Sequence, residues 1–201
     1  MDKNVIEEYI VRNMNRNARY LLLSGKQNNG PGGPMFPKGK YMNNVRWACK
    51  LEKQAIAALG TKCGYDEPKA PAGMSGMFFN LDIDWDEPDI YTAMHSWANE
   101  INEFAMQNVG KTDVKYDNPQ VRNWVNLVRP DITKIGCADI TCVENGLNKY
   151  RAYCLVDKPP LNLGQVMYEA GNGGCKYGES CAAGFKCDKY GFCKEEPKPK
   201  P

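Results

Sequence analysis

Histidine is nearly missing from this chain: His95 is the only one in 201 residues. A lone imidazole excludes catalysis or metal binding that needs two of them. No Cys-x-x-Cys pair occurs, so the usual spacing of zinc-ligating cysteines is absent too. There is no run of about 18 apolar residues, and therefore no helical membrane span. Charge of one sign is also lacking. Lys and Arg total 26 against 24 Asp and Glu, and a net charge of +2 gives no argument for nucleic acid or an anionic membrane. No Asn-x-Ser/Thr sequon is present to carry an N-glycan, and no Arg-Gly-Asp or Lys-Gly-Asp tripeptide occurs. The N-terminus, Met1-Asp2-Lys3-Asn4, opens into a helical pattern without an apolar signal core. That leaves a cytosolic chain, or one whose signal peptide has been removed and whose Met1 comes from expression.

The nine cysteines choose between these. Four of them, Cys175, Cys181, Cys187 and Cys193, lie six apart among Gly, Lys and Tyr. So short a stretch cannot bury a core of its own, and disulfides are the usual remedy in oxidising compartments. The chain is therefore expected to be secreted, extracellular and disulfide-bonded. With 42% hydrophobic and 25% charged residues the rest is ordinary for a globular domain.

Apolar periodicity predicts a helix over residues 4–24, ending at Gly25, and a second over 43–62 through Trp47, Leu51, Ala55 and Leu59. Gly30 to Lys40 is a Gly- and Pro-rich loop. Met74 to Ile83 reads as a strand, Pro88 opens a third helix, and 119–128 forms a short fourth. Two more strands, 134–140 and 149–156, flank an Asn145-Gly146 turn. Helices segregated from a small antiparallel sheet define an α+β fold. Residues 1–160 are read as the main domain, 161–194 as a cysteine-rich hinge module, and 195–201 as a disordered tail.

The order of short motifs resembles the CAP superfamily (SCP/TAPS), in its nematode activation-associated secreted branch. Asn15-Arg16-Asn17-Ala18-Arg19 resembles the first-helix signature, and Trp47-Ala48-Cys49-Lys50-Leu51-Glu52-Lys53 the opening of the second helix. Ser96-Trp97-Ala98-Asn99-Glu100 resembles the third helix, and Gly136-Cys137-Ala138 and Tyr153-Cys154 the sheet motifs. Val166-Met167-Tyr168-Glu169-Ala170-Gly171 resembles the hinge region of hookworm relatives. The resemblance covers nearly the whole chain and implies a three-layer α-β-α sandwich.

The family's cleft carries two histidines and two glutamates that hold a metal ion in some members. Here those positions map to Asn15, Met77, Glu100 and Asn123, of which only Glu100 keeps a ligand carboxylate. Amides and a thioether are poor donors for such an ion, so no metal, no cofactor and no catalysis are expected. The resemblance also implies the disulfides Cys49–Cys142, Cys137–Cys154, Cys175–Cys187 and Cys181–Cys193, leaving Cys63 as a free thiol.

Binding remains. Asp82, Asp84, Asp86, Glu87 and Asp89 form the densest charge in the chain. A calcium loop would need a glycine at position six and a glutamate at position twelve, which are Glu87 and Ala93, so a solvated or partner-facing acidic loop is the better reading. Leu81-Asp82-Ile83 resembles a short integrin-binding tripeptide. Met77 and Phe78 are candidates for an apolar contact surface, against the plainer reading that Phe78 and Phe79 alternate between core and cover. The expected function is that of a secreted parasite effector binding a host extracellular protein or receptor and modulating immune or haemostatic responses. The alternative is a sterol or fatty-acid carrier using an apolar gap between helices or the loop from Tyr116 to Pro119. A metal-dependent hydrolase is the remote third.

Overall fold

The computed structural model describes residues 1–83, 87–144 and 146–196. The chain begins with one continuous helix. Its backbone is wound as a π-helix over Val5–Val11 and Asn13–Arg19 and closes as α1 (Tyr20–Leu23). Ile10, Met14, Ala18 and Leu22 recur along it and are buried. The second helix is shorter than the periodicity predicts. Residues 46–47 form β1 (Arg46–Trp47), and α2 runs only over Cys49–Leu59. The backbone before it is engaged elsewhere: Asn44 N–H donates to Cys193 O, and Arg46 N–H to Thr133 O.

β2 (Ser75–Ile83) leads toward α3 (Ile90–Glu103). That helix is capped by Asp89, whose carboxylate accepts from Thr92 N–H at 3.1 Å while the Thr92 hydroxyl accepts from Asp89 N–H. Pro88 thus precedes the cap instead of occupying the first helical turn. After β3 (Asp113–Lys115), a 3₁₀ turn at Pro119–Val121 feeds α4 (Arg122–Val128). The long hairpin of β4 (Lys134–Glu144) and β5 (Leu147–Val156) turns through Gly146, whose φ of +78° a side chain would disfavour. Asn145 lies outside the described residues.

The central sheet has the order β1-β4-β5-β2, antiparallel except for the short parallel pairing of β1 with β4. Period-two alternation divides its faces. Tyr150, Ala152, Cys154 and Val156 of β5 join the N-terminal helix, α3 and α4 in the larger core. Tyr153 and Leu155 pack with Leu51, Ala55 and Leu59 of α2 in the smaller one. This is the α-β-α sandwich. At Gly136 the helix α2 comes so close that a Cβ would lie 2.3 Å from Glu52 N, so only glycine fits.

The C-terminal segment is sewn into the domain. β6 (Val166–Glu169) pairs with β3, and Met167, Tyr168 and Phe192 are buried in the larger core. β7 (Phe185–Cys187) and β8 (Cys193–Glu195) form a small hairpin, and Cys193 N–H donates to Met42 O. Order extends past the expected start of the tail. Glu195 pairs with Phe185, and Glu196 N–H donates to Gly184 O; residues 197–201 lie outside the described part.

Bridges form at Cys137–Cys154, Cys175–Cys187, Cys181–Cys193 and Cys63–Cys142. The last corrects the expected Cys49–Cys142 pairing and the expected free thiol at Cys63: Cys49 is the free cysteine, and it is exposed. The reason is geometric. Cys142 lies toward the hairpin end of β4, beside the loop that follows α2, whereas Cys49 begins α2 at the end near β1. The loop is secured a second time by the buried Arg151, which donates to Gly64 O at 2.6 Å and to Asp82 Oδ1 at 2.6 Å.

Candidate functional site: an amide-closed carboxylate between two helices

Glu100 stands in the last turn of α3 and Asn123 in the first turn of α4, where the two helices pack. The first N–H groups of a helix have no partner within it. Glu100 Oε2 accepts one of these, from Trp124 N–H at 2.9 Å, and Oε1 accepts from Asn123 Nδ2 at 2.6 Å. Beside them Arg122 Nη2 pairs with Glu67 at 2.6 Å, and Tyr116 is buried close by.

Burial raises the Glu100 carboxyl above its ordinary 4.5, and the donors from Trp124 and Asn123, with the Arg122 charge, pull it part of the way back. A carboxyl whose folded pKa is raised favours its neutral form in the fold. Its contribution to stability is complete below the ordinary pKa and is lost as pH rises through the higher folded value. A carbon-13 NMR titration of the Glu100 side chain is expected to show a midpoint above that of the exposed glutamates. Asn123→Ala should raise it further, because a donor to the charged form is removed. A midpoint unmoved or lowered in that variant would show that the amide does not hold the carboxylate.

The four mapped cleft positions do not converge. Glu100 and Asn123 meet. Asn15 does not join them: its amide makes a two-way bond with Val45, donating to the carbonyl at 2.8 Å and accepting from the N–H at 3.0 Å. Met77 is fully buried in β2. The residues present do not fit a two-histidine, two-carboxylate ion, since both amides are spent on hydrogen bonds and the thioether is sealed in the core. His95 is exposed, with its ring 6.1 Å from that of Tyr91. Five residues before Glu100, it is about 140° away around the helix, so the two do not form an acid–base pair.

The acidic and apolar candidates separate as well. Asp82 is committed internally, accepting from Arg151 and from the Tyr65 hydroxyl at 2.6 Å. Those donors hold its carboxyl below the usual range. Asp89 caps α3, Glu87 is exposed, and Asp84 and Asp86 lie outside the described residues. Met77 cannot touch a partner because it faces the core. Phe78, on the opposite face of β2, packs edge-on against Tyr153 at 6.5 Å, and Phe79 against Tyr150. The Tyr116–Pro119 loop is packed down, with Tyr116 buried and the Asn118 amide donating to Ala105 O. Glu67 and Arg122 escape the sequence reading. Arg122 adjoins Asn123 and was within reach of inference, but nothing marks Glu67, 55 residues away in a loop without periodicity.

The molecule is thus an α-β-α sandwich whose cleft carboxylate is closed by amide donors. The family model described as CAP, the cysteine-rich secretory protein family, matches residues 12–156, and the chain belongs to that family. It is 26% identical over 170 residues to the Ancylostoma secreted protein of Ancylostoma caninum, a match covering 83% of this chain and 37% of that protein. The chain therefore spans little more than a third of this curated relative. Among solved structures, BmVAL-1 aligns at a TM-score of 0.74 and 24% identity, covering 98% of this chain and 97% of its own. The hookworm platelet inhibitor aligns at 0.65 and 20%, covering 99% and 94%. At such identities the likeness is one of fold. Among the described residues no helix is long and apolar enough to cross a membrane.

Proposed function

We propose that this chain is a secreted, non-catalytic effector that binds a host extracellular protein and modulates immune or haemostatic responses. The observation that carries the reading is the closed carboxylate. Glu100, the one ligand-type side chain left at the mapped cleft positions, is occupied on both oxygens by Asn123 and Trp124. No imidazole stands where an acid–base pair would need one. Four disulfides and kinship to a protein named as secreted support an extracellular site of action. The shared fold with a hookworm protein named as a platelet inhibitor makes blood-cell surfaces the first place to look.

The test is equilibrium binding of fluorescently labelled protein to washed platelets and leukocytes, before and after protease treatment of the cells. Saturable binding that unlabelled protein displaces and protease removes is the expected result. No saturable binding to either cell type, with stoichiometric sterol or fatty acid in an organic extract of the purified protein, would replace this reading with the carrier.

A further inference from the structure

We infer that a lysine-lined pocket between the end of the N-terminal helix and the cysteine-rich segment binds a sulfated glycan. The pocket, about 280 Å³ in volume, is bordered by Lys26, Lys38, Lys176 and Lys189, and no carboxylate lines it. In a chain whose charges nearly cancel, this is local segregation of one sign. All four lysines are exposed, and among the described residues none has an ion-pair partner. The acids nearest Lys176 and Lys189 in sequence, Glu179 and Asp188, are engaged by backbone N–H groups. Asp188 accepts from Tyr190 N–H at 2.8 Å and Phe192 N–H at 3.0 Å, and Glu179 accepts from Asn172 N–H at 3.0 Å.

The walls select the kind of anion. Tyr20 and Tyr177 border the same space with 39% and 63% of their surface exposed, while the third ring, Tyr190, is stacked by Arg16 and Lys189 at 4.9 and 5.0 Å. Rings that face water beside cations offer flat surfaces to the apolar faces of sugars while the ammonium groups meet sulfates. An acyl chain finds nothing comparable, because the one aliphatic side chain in the lining, Leu23, is 1% exposed. Lys189 and Tyr190 also border a neighbouring groove, but Glu7, Glu8 and Asp188 line it beside Arg12, Arg16 and Lys194. Arg12 pairs there with Glu8, so the segregated positive charge is confined to the lysine pocket.

Four separate stretches of chain build the pocket, and a disulfide joins two of them. Cys175 opens the turn bearing Lys176 and Tyr177, while Cys187 lies just before Lys189 and Tyr190. The site uses none of the cleft residues, so it stands apart from the host-protein reading.

The experiment is calorimetric titration of the full chain with a heparin-derived hexasaccharide at about 0.15 M salt. A fully desulfated hexasaccharide, inorganic sulfate and phosphatidylserine vesicles serve as separate probes. Sulfate-dependent hexasaccharide binding that weakens as salt is raised is expected. Lys38→Ala/Lys176→Ala/Lys189→Ala should weaken it about tenfold or more, a change of about 1.4 kcal/mol. Lys50→Ala/Lys53→Ala/Lys62→Ala, which removes equal charge elsewhere, should change it less than about twofold. Tyr177→Ala tests the ring contact, with a several-fold loss expected. Unfolding curves of each variant establish that it is folded. Equal losses in the two lysine triples, binding to the vesicles alone, or no binding to the hexasaccharide would overturn the inference.

Discussion

The double variant Cys63→Ser/Cys142→Ser is expected to lose roughly 4–5 kcal/mol of stability in urea unfolding, the chain-entropy value for a loop of this length. The bridge spans 79 residues, from the loop after α2 to the far end of β4. Cutting it frees the unfolded chain far more than the folded one, so the urea dependence should steepen as the denatured state expands. Other anchors of the loop, among them Arg151 with Gly64 and Asp82, Arg122 with Glu67 and the Tyr153 hydroxyl with Pro68 O, hold it only in the folded state. Cys49→Ser is the matched control and should change stability by less than about 0.5 kcal/mol, since the residue is exposed and unbridged. Intact mass after alkylation without reductant should show one labelled thiol, located by peptide mapping at Cys49. A label at Cys63 with Cys49 protected would restore the other pairing and remove the basis for the expected loss.

Arg19→Met should cost roughly 3–5 kcal/mol, because it removes a buried charge on which three backbone carbonyls depend. Arg19 is fully buried, and its guanidinium donates to Leu127 O at 2.9 Å, Arg129 O at 2.9 Å and Asn43 O at 2.8 Å. Two of these acceptors belong to the C-terminal end of α4, which a cation favours. One side chain thereby ties the N-terminal helix to α4 and to the segment that precedes β1. Arg19→Lys should recover only part of the loss, since an ammonium on a single stem cannot reach three divergent acceptors with the same geometry. Urea unfolding of the two variants at neutral pH measures both effects. A loss under about 1 kcal/mol in the methionine variant would mean that the carbonyls find other donors.

Periodicity made the helices at the N-terminus and after Asp89 legible, and the Asn-Gly turn did the same for the strands that flank it. Those signals are local: the apolar residues that repeat along each element are the same ones its core face buries. The second helix was overextended because the apolar residues before Cys49 continue its pattern, while the backbone of Asn44 and Arg46 in that stretch bonds to Cys193 and Thr133, far along the chain. β3 and β6 were invisible for a similar reason. Each is too short to show alternation, and each exists only because the other lies beside it.

The site divides the same way. The lack of a second histidine could be read from composition alone, and with it the loss of two-imidazole chemistry. That Glu100 meets Asn123, while Asn15 is held by Val45 and Met77 is sealed in the core, could not. Mapping by family motif assigns positions, but hydrogen bonds and burial decide whether a side chain is available, and both are settled by neighbours distant in sequence. The cysteines show the limit most directly. Their number and spacing by themselves determined that this is a disulfide-bonded protein with a stapled C-terminal segment. Only the tertiary structure decided which cysteine was left over, because a bridge forms where the fold brings two Cα atoms within about 4.4–6.8 Å, and Cys63, not Cys49, is brought to Cys142.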